Sequence, residues 1–397
     1  MSGNALALGL ARRERAIAKL GCLVSVCSDL NHFNDSVSLN TGCYAILGNL
    51  VPVDFFYEAG KGDLLWVFFN AAQKHDEISL FSWRRIAQEL TGHKLFLSDS
   101  TLYFSDKLSV GWYLGGQGFP FQDFICELLK VLASKSGCGK FVFVGSSAGG
   151  FPALLFANLI SESVAIVNAP VTTVLHHHSK KKLETYARDC WSSTELYEVA
   201  AANTTIFDLA KAYRANAYRG KFLVLQNLSD DLYLDHHVLP FFDSLGLARE
   251  RRVHSCDYNF ILGHWGDGHC VPPRKLLVDL LGAVEGSGIS NASSVFASVV
   301  LPPEISSYSV VLCDGEYRFK INAKDLSEYA FYVFSGGEII KKYGYTASGD
   351  FNVSARLVSQ DKSNNFVRVY IRCVANKMVG VRDISFLENK SVIFDFD

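Results

Sequence analysis

The sequence predicts an α/β protein with a mainly parallel, doubly wound sheet, followed by an all-β, sandwich-like domain. Two observations carry this. Between Leu64 and Val284, apolar strand-like runs alternate with helix-period segments, the pattern of βαβ units with right-handed crossovers. Beyond the small-residue stretch Gly286-Ser287-Gly288-Ile289-Ser290-Asn291-Ala292-Ser293-Ser294 the runs become short, β-branched and aromatic, with turns between them. A chain of 397 residues with 49% hydrophobic content can bury cores of this size. Residues 1–285 are therefore read as the α/β domain, 286–294 as a linker and 295–397 as a β-sandwich accessory domain.

In chain order, extended segments are expected at Cys22 to Val26, Cys43 to Leu47, Val53 to Glu58 and Leu64 to Asn70. Alternation follows: helix Ser82 to Leu90, strand Lys94 to Ser98, helix Phe121 to Ala133, strand Lys140 to Val144, helix Pro152 to Ile160, strand Ser163 to Asn168. The stretch 170–219 breaks this rhythm and is expected to form a cap or lid insertion. It carries His176-His177-His178 and Lys180-Lys181-Lys182. Adjacent histidines on a regular element point apart, so a solvated loop or helix start is expected rather than a metal site. The lysines read as a solvated face. Strand Lys221 to Gln226, helix Leu234 to Leu245, strand Arg252 to Ile261 and helix Pro272 to Val284 complete the domain. In the β-domain, strands are expected at Tyr308 to Cys313, Tyr317 to Ile321, Tyr329 to Phe334, Glu338 to Tyr343, Phe351 to Leu357 and Phe366 to Val374, with Ala323 to Leu326 the single helix-like stretch.

Composition narrows the function. A formal charge of −2 and a pI near 6.6 give no reason to expect a phosphate-backbone partner, so nucleic acid is not predicted. No uninterrupted apolar stretch reaches the ~18 residues a membrane span needs. The N-terminal Ala5 to Leu10 run has its charges, Arg12-Arg13-Glu14-Arg15, on the wrong side for a secretory signal. It reads as a short amphipathic surface helix. The ten cysteines are scattered and form no C-x-x-C pair, which points to reduced thiols in a cytoplasmic protein, with no metal and no cofactor expected.

Chemistry concentrates at Gly145-Ser146-Ser147-Ala148-Gly149, between the apolar run Phe141 to Val144 and the helical run from Phe151 to Phe156. Strand, tight turn and helix is the setting of a nucleophile elbow. Ser147 then sits on the turn, Gly145 and Gly149 flank it because a Cβ would collide there, and Gly150 lets the helix approach the strand.

Such a serine needs a base, and the base an orienting carboxylate. Asp230 stands on the polar turn after strand Lys221 to Gln226, with Asp231 as alternate. His269 stands on the glycine-flanked loop Gly263-His264-Trp265-Gly266-Asp267-Gly268-His269 before Pro272-Pro273. His264 is the alternate histidine, or lines the pocket, and Asp267 is a weaker rival for the acid. An oxyanion would be met by the Ala148 amide and by one from the loop Asn70-Ala71-Ala72, with Ala71 the expected donor. Trp112, Tyr113 and Trp265 are candidates for lining the pocket, with core packing as the alternative for each.

With serine, acid and histidine in that order, each after a strand, residues 50–285 resemble an α/β-hydrolase. More narrowly, Gly145 to Gly150, Val167-Asn168-Ala169-Pro170, Gln226-Asn227 with Asp230, and His237-Val238-Leu239-Pro240-Phe241 are similar to bacterial hydrolase-fold proteins of surface-polysaccharide and glycan biosynthesis. The resemblance implies serine-dependent acyl transfer: ester hydrolysis on a glycan or small ester, or O-acetyl transfer to a surface polysaccharide. A glycan-binding or assembly protein that keeps the fold without catalysis is the alternative from another class.

Overall fold

The structure, a computed structural model, describes residues 3–74, 78–216, 220–247, 252–254, 258–263, 265–297, 303, 305–323, 326–336, 338–358, 365–374, 379–386 and 391–393. Ten strands form one sheet: β1 (Val24–Cys27), β2 (Gly42–Ile46), β3 (Val53–Glu58), β4 (Leu64–Phe69), β5 (His93–Leu97), β6 (Lys140–Ser146), β7 (Ser163–Asn168), β8 (Lys221–Asn227), β9 (Arg252–His254) and β10 (Tyr258–Gly263). Their order is β1-β2-β3-β5-β4-β6-β7-β8-β10-β9. Antiparallel pairs flank β3, whereas the pairs β5–β4, β4–β6, β6–β7 and β7–β8 are parallel. This is the α/β-hydrolase fold. Every residue of β4 and β7 is buried, as expected of parallel strands covered on both faces.

Several elements depart from expectation for local reasons. The stretch Ser82 to Leu90 shortens to one turn, Arg84–Ala87, entered through Trp83 at φ 72°. Leu234 to Leu245 divides into a wide turn, Leu234–Val238, and a helix, Leu239–Leu245. Pro240 has no amide to continue the ladder and so starts the second piece. The single strand expected at Arg252 to Ile261 is two antiparallel strands, β9 and β10, and residues 255–257 lie outside the described residues.

The N-terminal helix, Gly3–Ala18, is more deeply engaged than a surface amphipath. Arg12 is buried and donates to the carbonyls of Leu102, Ser105, Asp106 and Leu108 at 2.6–3.0 Å. Arg13 forms a bidentate pair with Asp54 on β3. Planar guanidinium donors satisfy loop carbonyls that burial would otherwise orphan.

The C-terminal strands form two four-stranded antiparallel sheets. One orders β15 (Asp350–Ser354), β12 (Glu316–Ala323), β11 (Ile305–Cys313) and β18 (Ser391–Ile393); the other β14 (Glu338–Thr346), β13 (Ser327–Ser335), β16 (Phe366–Cys373) and β17 (Val379–Ser385). Strand β16 alternates strictly in burial. Phe351 stacks on Phe319 and on Phe331, with centroids 4.5 and 3.9 Å away, joining the two faces into one core. Strands β17 and β18 were not anticipated, because Gly380, Arg382 and Asp383 break up the apolar pattern of the former. The expected helix-like stretch falls partly on residues 324–325, outside the described residues.

The chain divides into two compact units. The first comprises Met1–Gln226, Leu232–Ile261 and Val278–Ser298; the second comprises Asn227–Asp231, Leu262–Leu277 and Val299–Asp397. Nine described cysteines are free thiols, most of them shielded from solvent. Among the described residues no helix is long and apolar enough to cross a membrane.

Candidate active site

In the first unit, β6 ends at Ser146 and a tight turn, Ser147–Gly149, leads into the helix Gly150–Leu159. Ser147 has φ 54°, a left-handed conformation that costs a non-glycine residue about 1–3 kcal/mol and is kept only where surroundings enforce it. Those surroundings leave no space. A Cβ at Gly145 would run into the Gly149 carbonyl, one at Gly149 would lie 2.7 Å from the Phe69 and Asn70 carbonyls, and one at Gly150 would lie 2.6 Å from Pro170. The Val171 amide donates to the Ser147 carbonyl at 3.0 Å, and Asn168 donates to the Ser146 hydroxyl. Ser147 itself is 9% exposed.

The Ser147 hydroxyl is 2.9 Å from the hydroxyl of Tyr233, a residue that pattern reading did not single out. Tyr233 follows the acid-bearing turn, and nothing but that proximity in sequence marks it. Its ring meets His178 edge-on at 6.0 Å. His178 stacks on His177, and His177 packs against Trp112. The three histidines therefore divide: His176 and His178 are exposed, and His177 is buried.

Ala148 is buried at the head of the turn, where first-turn amides lack intrahelical acceptors. Ala71 lies just beyond β4, on a loop pinned through Asn70. The Asn70 amide donates to the Tyr113 hydroxyl at 2.7 Å, and that hydroxyl donates to the Leu97 carbonyl. The Asn70 side chain donates to the Ser79 and Leu80 carbonyls and accepts from the Ser82 amide. Trp112 and Tyr113 are both buried with positive φ, 50° and 58°. Asp99 helps to hold their loop by accepting from the Gly111 amide, and burial pushes its carboxyl up to about 6.

The second unit holds Asp230 and His269, the residues expected from the sequence as acid and base. His269 Nδ1 is 2.6 Å from Asp230 Oδ2. Asp230 is 3% exposed. The short contact holds the imidazole through Nδ1, the arrangement in which a carboxylate orients a histidine ring. The loop carrying His269 is clamped by Asn227, which donates to the carbonyls of Gly266 and Gly268 at 2.7 Å each and accepts from the Trp265 amide at 3.1 Å. Trp265 is buried and donates to the Cys270 carbonyl. The clamp was invisible to pattern reading, which saw Asn227 only as part of a polar turn. Asp231 is exposed and opens the short helical turn Asp231–Tyr233. Loss of water and the neighbouring Asp383 carboxylate push the Asp267 carboxyl up to about 6. His264 lies outside the described residues.

No protein-family model and no curated protein matches the chain. Among solved structures, the capsule O-acetyltransferase of Neisseria meningitidis serogroup A is similar at 15% identity and TM-score 0.46, over 59% of this chain and 94% of that one. An S-formylglutathione hydrolase from Agrobacterium tumefaciens follows at 12% identity and TM-score 0.40, over 62% and 91%. A fluorophosphonate-binding serine hydrolase of Staphylococcus aureus is similar at 13% identity and TM-score 0.39, over 64% and 97%.

Proposed function

We propose that the protein is a serine-dependent acyl-transfer enzyme that forms an acyl-Ser147 intermediate, most simply as an esterase acting on a glycan or small ester. The observation that carries this is Ser147 held at φ 54° on a strand–turn–helix elbow, a strain without structural purpose unless the hydroxyl must be presented. In this reading His269 Nε2 removes the Ser147 proton as the Oγ–carbonyl bond forms, and Asp230 keeps the imidazole in the required tautomer. The Ala148 and Ala71 amides receive the developing oxyanion. The protonated imidazole then returns its proton to the departing alkoxide. The Tyr233 hydroxyl, 2.9 Å from Ser147 Oγ, orients it in the resting state.

Water as the second acceptor completes ester hydrolysis, and a sugar hydroxyl would complete O-acetyl transfer with the same residues. The free thiols of the described cysteines suit a reducing compartment, and we place the protein in the cytoplasm. A fluorophosphonate probe tests the core of the reading: wild-type protein should be labelled at Ser147 and Ser147→Ala should not. Absence of labelling in folded wild-type protein would favour a binding protein built on the same fold. Turnover of an activated acetyl ester, with and without an oligosaccharide, separates the two acceptors.

A further inference from the structure

A second concave feature of the first unit has no part in acyl transfer. A cleft of about 640 Å³ opens between the N-terminal helix, the loop 106–110 and the start of helix Lys180–Trp191. Its walls carry Arg12, Arg15, Lys107, Lys181, Lys182 and Arg188 against one carboxylate, Asp106. The whole chain has a net charge of −2, so six cations around one cleft are a local concentration and not the background.

Three features of the cleft call for an anion. Helix Lys180–Trp191 has no acidic residue in its first turn and no side-chain cap from Ser179. Lysines fill the turn instead, at the positive end of the helix dipole, where carboxylates are favoured and cations are repelled. Arg15, Lys107, Lys181 and Lys182 form no ion pair among the described residues, so their repulsion is not offset from within. The third is Ser109: it lies in the wall at 7% exposure, and its hydroxyl has no hydrogen-bond partner among the described residues.

We infer that this cleft binds a small ligand carrying two or more phosphate groups. A single carboxylate or phosphate would leave most of the charge uncompensated. The lysines suit phosphate oxygens, and Arg188, whose Nε is held by Asp189 at 2.7 Å, can turn its two remaining nitrogens to the ligand. The volume lies in the range of small-molecule sites. Arg12 contributes charge only, since its terminal nitrogens are taken by loop carbonyls.

The test is calorimetric titration of the full-length protein with inorganic pyrophosphate at low and physiological salt. One saturable site per chain is expected, weakening with salt. Lys181→Glu/Lys182→Glu should weaken it by about tenfold or more, while Lys130→Glu, far along the sequence on an exposed helix face, should leave it unchanged. Lys107→Glu reads the opposite wall and should cause a similar loss, which keeps the test open if the double variant fails to fold. An adenosine diphosphate arm identifies the source: tighter binding than pyrophosphate means a nucleotide, equal binding means the phosphate groups alone. No saturable heat at millimolar pyrophosphate, several equivalent sites, or equal weakening by Lys130→Glu would overturn the proposal. Ser147 labelling is scored separately, so failure of the cleft and failure of the acyl-transfer reading give different results.

Discussion

The elbow around Ser147 and the loops bearing Asp230 and His269 are built on different principles. Ser147 is set by backbone packing: glycines at 145, 149 and 150 allow approaches that no side chain could survive, and buried parallel strands fix the height of the turn. Asp230 and His269 are set by side-chain hydrogen bonds, chiefly the Asn227 clamp and the 2.6 Å contact between the pair. Ser147 belongs to the first compact unit, and Asp230 and His269 both belong to the second. Backbone packing tolerates few substitutions and leaves a recognisable string; a side-chain clamp depends on one residue that reads like any polar turn. The comparison predicts that damage to the elbow acts through folding, whereas damage to the clamp acts through chemistry.

The largest effect expected short of removing the nucleophile is at Asp230. Asp230→Asn preserves size but favours the wrong imidazole tautomer, and ester turnover should fall by about 10³–10⁴-fold with little change in thermal stability. Turnover within tenfold of wild type would break the pairing of these loops with Ser147.

Asn227→Ala comes next. It removes the donor for two loop carbonyls and the acceptor for the Trp265 amide. Turnover should drop by about 10²-fold, as for a misplaced catalytic group, with a stability loss of about 1–3 kcal/mol. Fluorophosphonate labelling of Ser147 should slow in parallel. Asn227→Asp restores the acceptor but not the donor, so only partial recovery is expected.

Tyr233→Phe sharpens the elbow side. Losing the 2.9 Å contact to Ser147 removes one neutral hydrogen bond, worth about 1 kcal/mol, so a rate loss of about tenfold or less is expected. A loss comparable with that at Asp230 would promote Tyr233 from an orienting residue to a participant in proton transfer.

The same contrast explains what could be read from the chain alone. Strands β3 to β8 and the elbow were legible because buried parallel strands are continuous apolar runs and the turn must be glycine-rich. The position of His269 was legible because a glycine-flanked histidine before a Pro-Pro helix start is a local pattern. Tyr233 and Asn227 were not, since their roles arise from contacts across the sheet edge and not from periodicity. Arg12 and Arg13 misled for the opposite reason. Charged residues next to a short apolar run normally mark a solvated face, yet here both guanidinium groups are buried against carbonyls and Asp54. The lysine run at 180–182 read as a solvated face, and the structure keeps Lys180 and Lys181 exposed at the start of a helix beside a basic cleft.

The smallest expected effect concerns His177, which joins the cleft to the elbow through contacts. Its Nδ1 accepts from the Ser179 amide at 3.1 Å, while its ring stacks on His178, which in turn meets Tyr233. Burial, and then the neighbouring His178 and Lys182, hold its pKa down at about 4 against an ordinary 6.5. A depressed histidine stays neutral in the folded chain while the unfolded chain takes up the proton. Its contribution to stability is therefore complete above about 6.5 and is lost progressively as the pH falls toward 4. His177→Gln keeps an acceptor for Ser179 and removes the titration, so its melting temperature should fall less than that of wild type over this interval. Many carboxylates titrate there in both proteins, which makes the difference between the two curves the informative quantity. Parallel curves would mean that His177 is hydrated and charged in the folded chain, and that the wall between cleft and elbow is open to water.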